Sequence, residues 1–251
     1  MANRSWSTQA LVLSLSSFGE GHREALLLTE ENGLLRAAVF GGAKSKLRAM
    51  VSPYQSGTIW LYSDPIKKSN KITDFDVLSY RQGIRENIVR TWSAALCTEI
   101  VTRSHGIAPW RLVNAFLDGI SISGEDECRR GVLRFLWRLL LSAGINPDIS
   151  FCTRCASPSG SEKDENRVLY YSPHEDACLC ASCSRVEERR FPLSVEARNY
   201  LTAIENESPS EVRSLQLLET DYADLRQFLY FLITRMIDGP LKTLESGKGI
   251  L

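Results

Sequence analysis

The chain has 251 residues, 43% of them hydrophobic and 24% charged, which excludes an intrinsically disordered chain and allows one large domain or two to three small ones. Its 30 basic and 30 acidic side chains cancel, so bulk charge carries no nucleic-acid signal. The longest apolar runs, such as Leu139-Leu140-Leu141 before Ser142, fall short of the roughly 18 residues of a membrane span, and residues 1–7 lack a basic-then-apolar leader, so the cytoplasm is the expected compartment.

Residues 8–80 read as β-structure. Ala10, Val12 and Ser14 alternate with Leu11, Leu13 and Leu15. Glu24 to Thr29 is a short apolar run, Glu30-Glu31-Asn32-Gly33 marks a hairpin turn, and Leu34 to Phe40 returns to end at Gly41-Gly42. Residues 43–51 form a loop or short helix. Thr58 to Tyr62 and Lys71 to Tyr80 complete five short strands, which suits a small closed barrel of the OB type. From Ile84 the period becomes three and four: Ile84, Ile88, Trp92, Leu96 and Ile100 predict one helix of about five turns, broken at Gly106 and Pro109. Trp110 to Ile120 and Glu125 to Ala143 predict two more, the last capped by Gly144. Val168 to Tyr171 reads as a strand. Helices resume over Ser194 to Asn206 and Asp221 to Asp238. The predicted class is α+β: an OB barrel at 1–82, then a helical domain at 83–251 with an insert at about 150–185.

That insert holds the most specific signal. Cys152-Thr-Arg-Cys155 and Cys180-Ala-Ser-Cys183 are two C-x-x-C pairs separated by 24 residues. Each pair forms a tight knuckle, and the spacer admits a hairpin, so four sulfurs can converge on one tetrahedral zinc. Four thiolates close the coordination sphere and leave no position for a reactive water, which makes the predicted zinc, one per chain, structural. A thioredoxin-type reading wants a strand, motif and helix in a βαβ pattern, whereas Phe151-Cys152 follows the loop Asn146-Pro147-Asp148. Seven cysteines is an odd number, which argues against a disulfide framework. Cys97 and Cys128 sit in helical patterns as small core residues. Cys178 lies two residues before Cys180 and is the alternative ligand, though knuckle spacing favours Cys180 with Cys183.

The order of barrel, helices, cysteine insert and further helices resembles the RecO family of bacterial recombination mediators. Ala10-Leu-Val-Leu13, Phe18-Gly-Glu20 and Leu26-Leu-Leu-Thr29 resemble the family's opening hairpin, with Asn32-Gly33-Leu34 as its turn. Gly41-Gly42-Ala43-Lys44-Ser45-Lys46 resembles its small basic segment, Pro53-Tyr54 its entry to the fourth strand, and the four cysteines its insert. The chain departs at two places: Ala156 stands where members often carry glycine after the first knuckle, and Asp176-Ala177 stand where they often have Gly-Gly. The resemblance implies a non-enzymatic DNA repair and recombination protein that binds single- and double-stranded DNA and anneals complementary strands. It implies action with RecR to load RecA onto DNA coated by single-strand-binding protein, in the cytoplasm and at the nucleoid during repair.

The residues are compatible with that reading. Residues 1–82 carry ten Lys and Arg against seven Asp and Glu, with the excess in Lys44-Ser-Lys46-Leu-Arg48 and Lys67-Lys68-Ser-Asn-Lys71. Such clusters are usually solvated loops, but two in one small barrel suit a basic groove. The candidate DNA contacts are Arg23, Lys44, Lys46, Arg48, Lys67, Lys68 and Lys71. Trp60 and Tyr62 are candidate stacking platforms, on the expectation that alternation sends one of them inward. Two other classes compete: a zinc or thiol enzyme, and a zinc-stapled interaction module without DNA affinity. Against the enzyme, His22, His105 and His174 stand apart, and no G-x-S-x-G, HExxH or phosphate loop is present.

Overall fold

The computed structural model describes residues 4–19, 21–41, 45–156 and 168–251, with Phe18 by its backbone alone. Five strands, β1 (Ser5–Phe18), β2 (His22–Thr29), β3 (Gly33–Val39), β4 (Ser56–Asp64) and β5 (Ser69–Ser79), close into a barrel in the order β1-β2-β3-β5-β4. This is the OB arrangement, in which a parallel contact at Ala38 and Lys71 shuts the otherwise antiparallel sheet. Period-2 alternation sends Ala10, Val12, Ala25, Leu27, Ala37, Ile59, Leu61, Ile72 and Phe75 inward as one apolar core. Gly57 is fixed by close approach: a Cβ there would stand 2.0 Å from the Asp76 carbonyl oxygen. The short helix α1 (Lys46–Met50) bridges β3 and β4, with Ser45 as its N-cap.

The chain forms two compact units, residues 1–128 with 240–251 and residues 129–239. The first contains the barrel, α2 (Ile88–Arg103), α3 (Trp110–Ile122) and α8 (Lys242–Ser246). The change from strand to helix at 82 and the division between units therefore do not coincide. One tie across that change is Arg81, whose buried guanidinium donates to the Tyr54 carbonyl at 2.6 Å, to Asp118 at 2.7 Å and to Asn114 at 2.9 Å, joining the barrel to α3. One continuous helix from Ile84 does not form. A 3-10 turn over Gln82–Glu86 comes first, and Asn87, in extended conformation, caps α2 by accepting from the Val89 and Arg90 amides.

The second unit takes most of α4 (Glu125–Ala143), then a sheet of β6 (Leu169–Ser172), β7 (Ala177–Cys180) and β8 (Phe191–Leu193) in the order β7-β6-β8. It is completed by α5 (Val195–Asn206), α6 (Pro209–Ser214) and α7 (Glu219–Met236). Sequence periodicity missed β8, α6 and α8, which span only three, six and five residues, too short for a period to register. α6 did carry a local signature: Ser208 and Glu211 form a capping box with Pro209 at the first turn. Tyr171 on β6 meets Phe228 of α7 at a 5.2 Å centroid distance, and Phe191 of β8 meets Phe231 at 4.7 Å, so the sheet shares an aromatic core with α7. Among the described residues no helix is long and apolar enough to cross a membrane.

Candidate metal centre and nucleic-acid interface

The two knuckles are built alike. The Ala156 amide donates to the Cys152 carbonyl at 2.8 Å, and the Ser184 amide donates to the Cys180 carbonyl at 2.9 Å, so each C-x-x-C pair is wrapped into one tight turn. Thr153 fastens the first knuckle to β7, its amide and its Oγ1 both donating to the Cys178 carbonyl at 3.0 and 2.9 Å. Arg154 braces the two: it donates to the carbonyl of Cys183 in the second knuckle, to Glu175 in the β6–β7 turn, and to Glu188 at 3.1 Å. Of the three residues that depart from the family's glycines, Ala156, Asp176 and Ala177, two have left-handed backbone, Ala156 at φ 54° and Asp176 at φ 53°. Asp176 gains partners there, accepting from the hydroxyl of Tyr171 and from Arg235 at 3.2 Å. Ala156 has no polar side chain with which to gain one.

The sulfurs of Cys152, Cys155, Cys180 and Cys183 all lie within 4.8 Å of one another, with Cys155 and Cys180 at 3.8 Å. Ligands on a tetrahedron with a metal–sulfur bond of about 2.3 Å stand about 3.8 Å apart, so the donor set fits an ion of zinc's size with sub-ångström adjustment. Cys152 and Cys180 are buried, Cys183 half-buried and Cys155 exposed. Cys180 and Cys183 resist ionising on their own. The hydrogen bond with Cys180, then burial, push the Cys183 thiol up to about 12, and burial first raises that of Cys180. A cation at the centre reverses this balance, because thiolates are its ligands. Cys178 stands outside the cluster. Its side chain is fully buried and burial pushes its thiol up to about 12.

The basic residues gather at one end of the barrel. Arg23 is the second residue of β2 and pairs with Val39. Lys46 opens α1 and is exposed, while Arg48 donates to the Gly21 carbonyl at 2.8 Å, pinning α1 to the β1–β2 turn. Lys67 and Lys68 are exposed in the β4–β5 loop, which Asp64 shapes by accepting from the Ile66 and Lys67 amides. Lys71 on β5 carries its Nζ 5.2 Å above the Phe40 ring. Lys44 lies outside the described residues. Two residues missed from the sequence complete the surface. Phe40, 39% exposed, meets the His22 ring at 4.8 Å, and so links the start of β2, the end of β3 and Lys71. The signal was available, as an aromatic immediately before the basic Gly41-Gly42-Ala43-Lys44 segment.

The two aromatics of β4 do not divide between core and surface. Trp60 and Tyr62 are two residues apart and share the outer face, while Ile59 and Leu61 fill the core. Trp60 pairs across the sheet with Asp74, and Asp76 lies two residues farther along β5, so its surroundings are acidic. Tyr62 accepts a hydrogen bond from Arg4 at 3.2 Å.

Two family models match the chain: recombination protein O N terminal over residues 1–81 and recombination protein O C terminal over residues 107–245. The DNA repair protein RecO of Bacillus subtilis (strain 168) is 22% identical over 229 residues, covering 88% of this chain and 85% of the relative. That of Heliobacterium modesticaldum is 30% identical over 195 residues, covering 72% and 66%. That of Maridesulfovibrio salexigens is 23% identical over 254 residues, covering 96% of each. A five-stranded barrel, a helical remainder and a four-cysteine cluster thus occur in a chain that belongs to the recombination protein O family of DNA repair proteins.

Proposed function

We propose that this protein is a non-enzymatic mediator of recombinational repair in the cytoplasm, engaging the nucleoid during repair. It binds single- and double-stranded DNA, anneals complementary strands and, with RecR, loads RecA onto DNA coated by single-strand-binding protein. The observation that carries the reading is the barrel end where Arg23, Arg48, Phe40 and Lys71 adjoin, with Lys67 and Lys68 on the neighbouring loop. Cations track a phosphate backbone there, and Phe40 offers a ring face for a base. The β1–β2 and β4–β5 loops that carry or touch these groups are those through which OB barrels hold oligonucleotides. Trp60, beside Asp74, is not assigned to the strand, because carboxylates repel phosphate.

The metal is proposed to be zinc, one per chain, held by Cys152, Cys155, Cys180 and Cys183 in a structural role. The group would supply folding energy to the knuckles and no reaction step. The test of function is annealing of two complementary oligonucleotides by the purified protein without nucleotide, followed by RecA filament formation on coated DNA with and without RecR. Annealing that needs ATP, or none above the spontaneous rate, contradicts the proposal.

A further inference from the structure

Among its described residues, the second unit holds a cation with no counter-charge beside it. Arg130, Arg134 and Arg138 recur every fourth residue on α4 and so form one stripe, with about 6 Å of helix rise between successive members. Arg134 is buried and donates to the Tyr200 hydroxyl at 3.1 Å, which fixes its guanidinium against α5. Arg138, one turn on, is half-buried, and among the described residues it makes neither a hydrogen bond nor an ion pair. Its charged neighbours are Arg134 and Arg213 of α6, both of its own sign. Burial lowers its readiness to hold a proton, Arg134 and Arg213 push the same way and Tyr200 opposes them, although guanidinium stays charged. Arg213 spends one donor on the Pro209 carbonyl at 3.1 Å and is otherwise exposed.

A half-buried charge flanked by like charges costs stability unless an anion joins it. Arginine's planar fork suits oxyanions with two oxygens, and a row at one-turn spacing suits a chain of repeated anions over a single small one.

We propose that Arg138, with Arg130 and Arg213 beside it and Arg134 held behind it by Tyr200, forms an anion track that receives phosphates of a DNA strand. This rests on the DNA-binding reading above and extends it to a surface of the second unit.

The test uses the full chain with its metal and compares the parent with Arg138→Met, which keeps the length and apolar stem but not the charge. Without ligand, Arg138→Met is expected to melt about 2–4 °C higher, because an uncompensated charge has gone. Inorganic phosphate is expected to raise the melting temperature of the parent by more than that of the variant, which keeps the barrel's cations and the general stabilisation by phosphate. The variant should bind a single-stranded oligonucleotide with a log affinity versus log salt slope shallower by about 0.7, the value of one contact. A variant that melts lower, together with an unchanged slope, makes Arg138 a structural residue and overturns the proposal. An acidic peptide whose binding depends on Arg138 while DNA binding does not overturns it in favour of a protein ligand. If the parent itself binds no oligonucleotide, the DNA-binding reading fails, which is a separate outcome from an unchanged slope.

Discussion

Single residues decide how well the four-cysteine module closes. Ala156 holds left-handed backbone that costs an L-residue about 1–2 kcal/mol, against about 0.5–1 kcal/mol of extra chain entropy for glycine. Ala156→Gly should therefore stabilise the chain by about 0.5–1 kcal/mol, read as a higher denaturant midpoint at unchanged slope. Asp176 has the same backbone, but its carboxylate accepts from Tyr171 and Arg235. Asp176→Gly should be neutral or destabilising in the same measurement, and equal gains at both sites would refute the role given to that carboxylate. The aromatics of the barrel give a second contrast. Phe40→Ala should cost about 1–3 kcal/mol of single-strand affinity, as for loss of a stacking platform, whereas Trp60→Ala should leave affinity unchanged. Oligonucleotide titration of both variants separates the two, and a loss confined to Trp60→Ala would move the strand to the outer face of β4.

At the scale of elements, the knuckles and the last helix each hang on a small set of groups. Cys152→Ser should lower bound metal from about one equivalent to well under half in elemental analysis, while Cys178→Ser keeps it. Acid should release the metal, because protons compete for the thiolates. The barrel shares none of these ligands and should keep its own transition. α8 depends on Glu99 of α2, which accepts from the Lys242 and Thr243 amides, both at 2.8 Å. Burial opposes ionisation of Glu99, but hydrogen bonds from Thr243 and Lys242 outweigh it and hold the carboxyl below its ordinary 4.5. A lowered folded value means the stabilisation is whole above 4.5 and is lost as pH falls through the lower folded value. The difference in melting temperature between the parent and Glu99→Gln should be present at neutral pH and close in acid; a gap that persists in acid contradicts this coupling. Neither α8 nor Glu99's role was legible in the sequence, because five residues carry no period and their partner lies 143 positions away. The barrel strands and the knuckles were legible for the opposite reason, since alternation and C-x-x-C spacing are local. The break at Asn87 was local too, an N-cap residue whose signal the apolar period overrode.

On the scale of the whole molecule, a neutral chain conceals a basic surface. The 30 positive and 30 negative charges cancel in sum, yet folding draws Arg23, Lys46, Arg48, Lys67, Lys68 and Lys71 to one end of the barrel and leaves Asp74 and Asp76 on the outer face of β5. Sequence clustering located the two basic segments. Phe40 adjoins the first of them in sequence, but its contacts with Lys71 and His22 depend on the register of β3 with β5 and on where β2 begins. Phosphate contacts position without reading bases, so binding should be nearly indifferent to base sequence and strongly dependent on salt. The most direct measurement of the central claim is the salt dependence of single-stranded DNA affinity for the parent and for a variant with Lys44, Lys46 and Arg48 replaced by Ala. With contacts worth about 0.7 each, the variant's slope should be shallower by roughly two units while the fold is kept. A folded variant that binds and anneals with the parent's slope would contradict the assignment of the DNA site to the barrel.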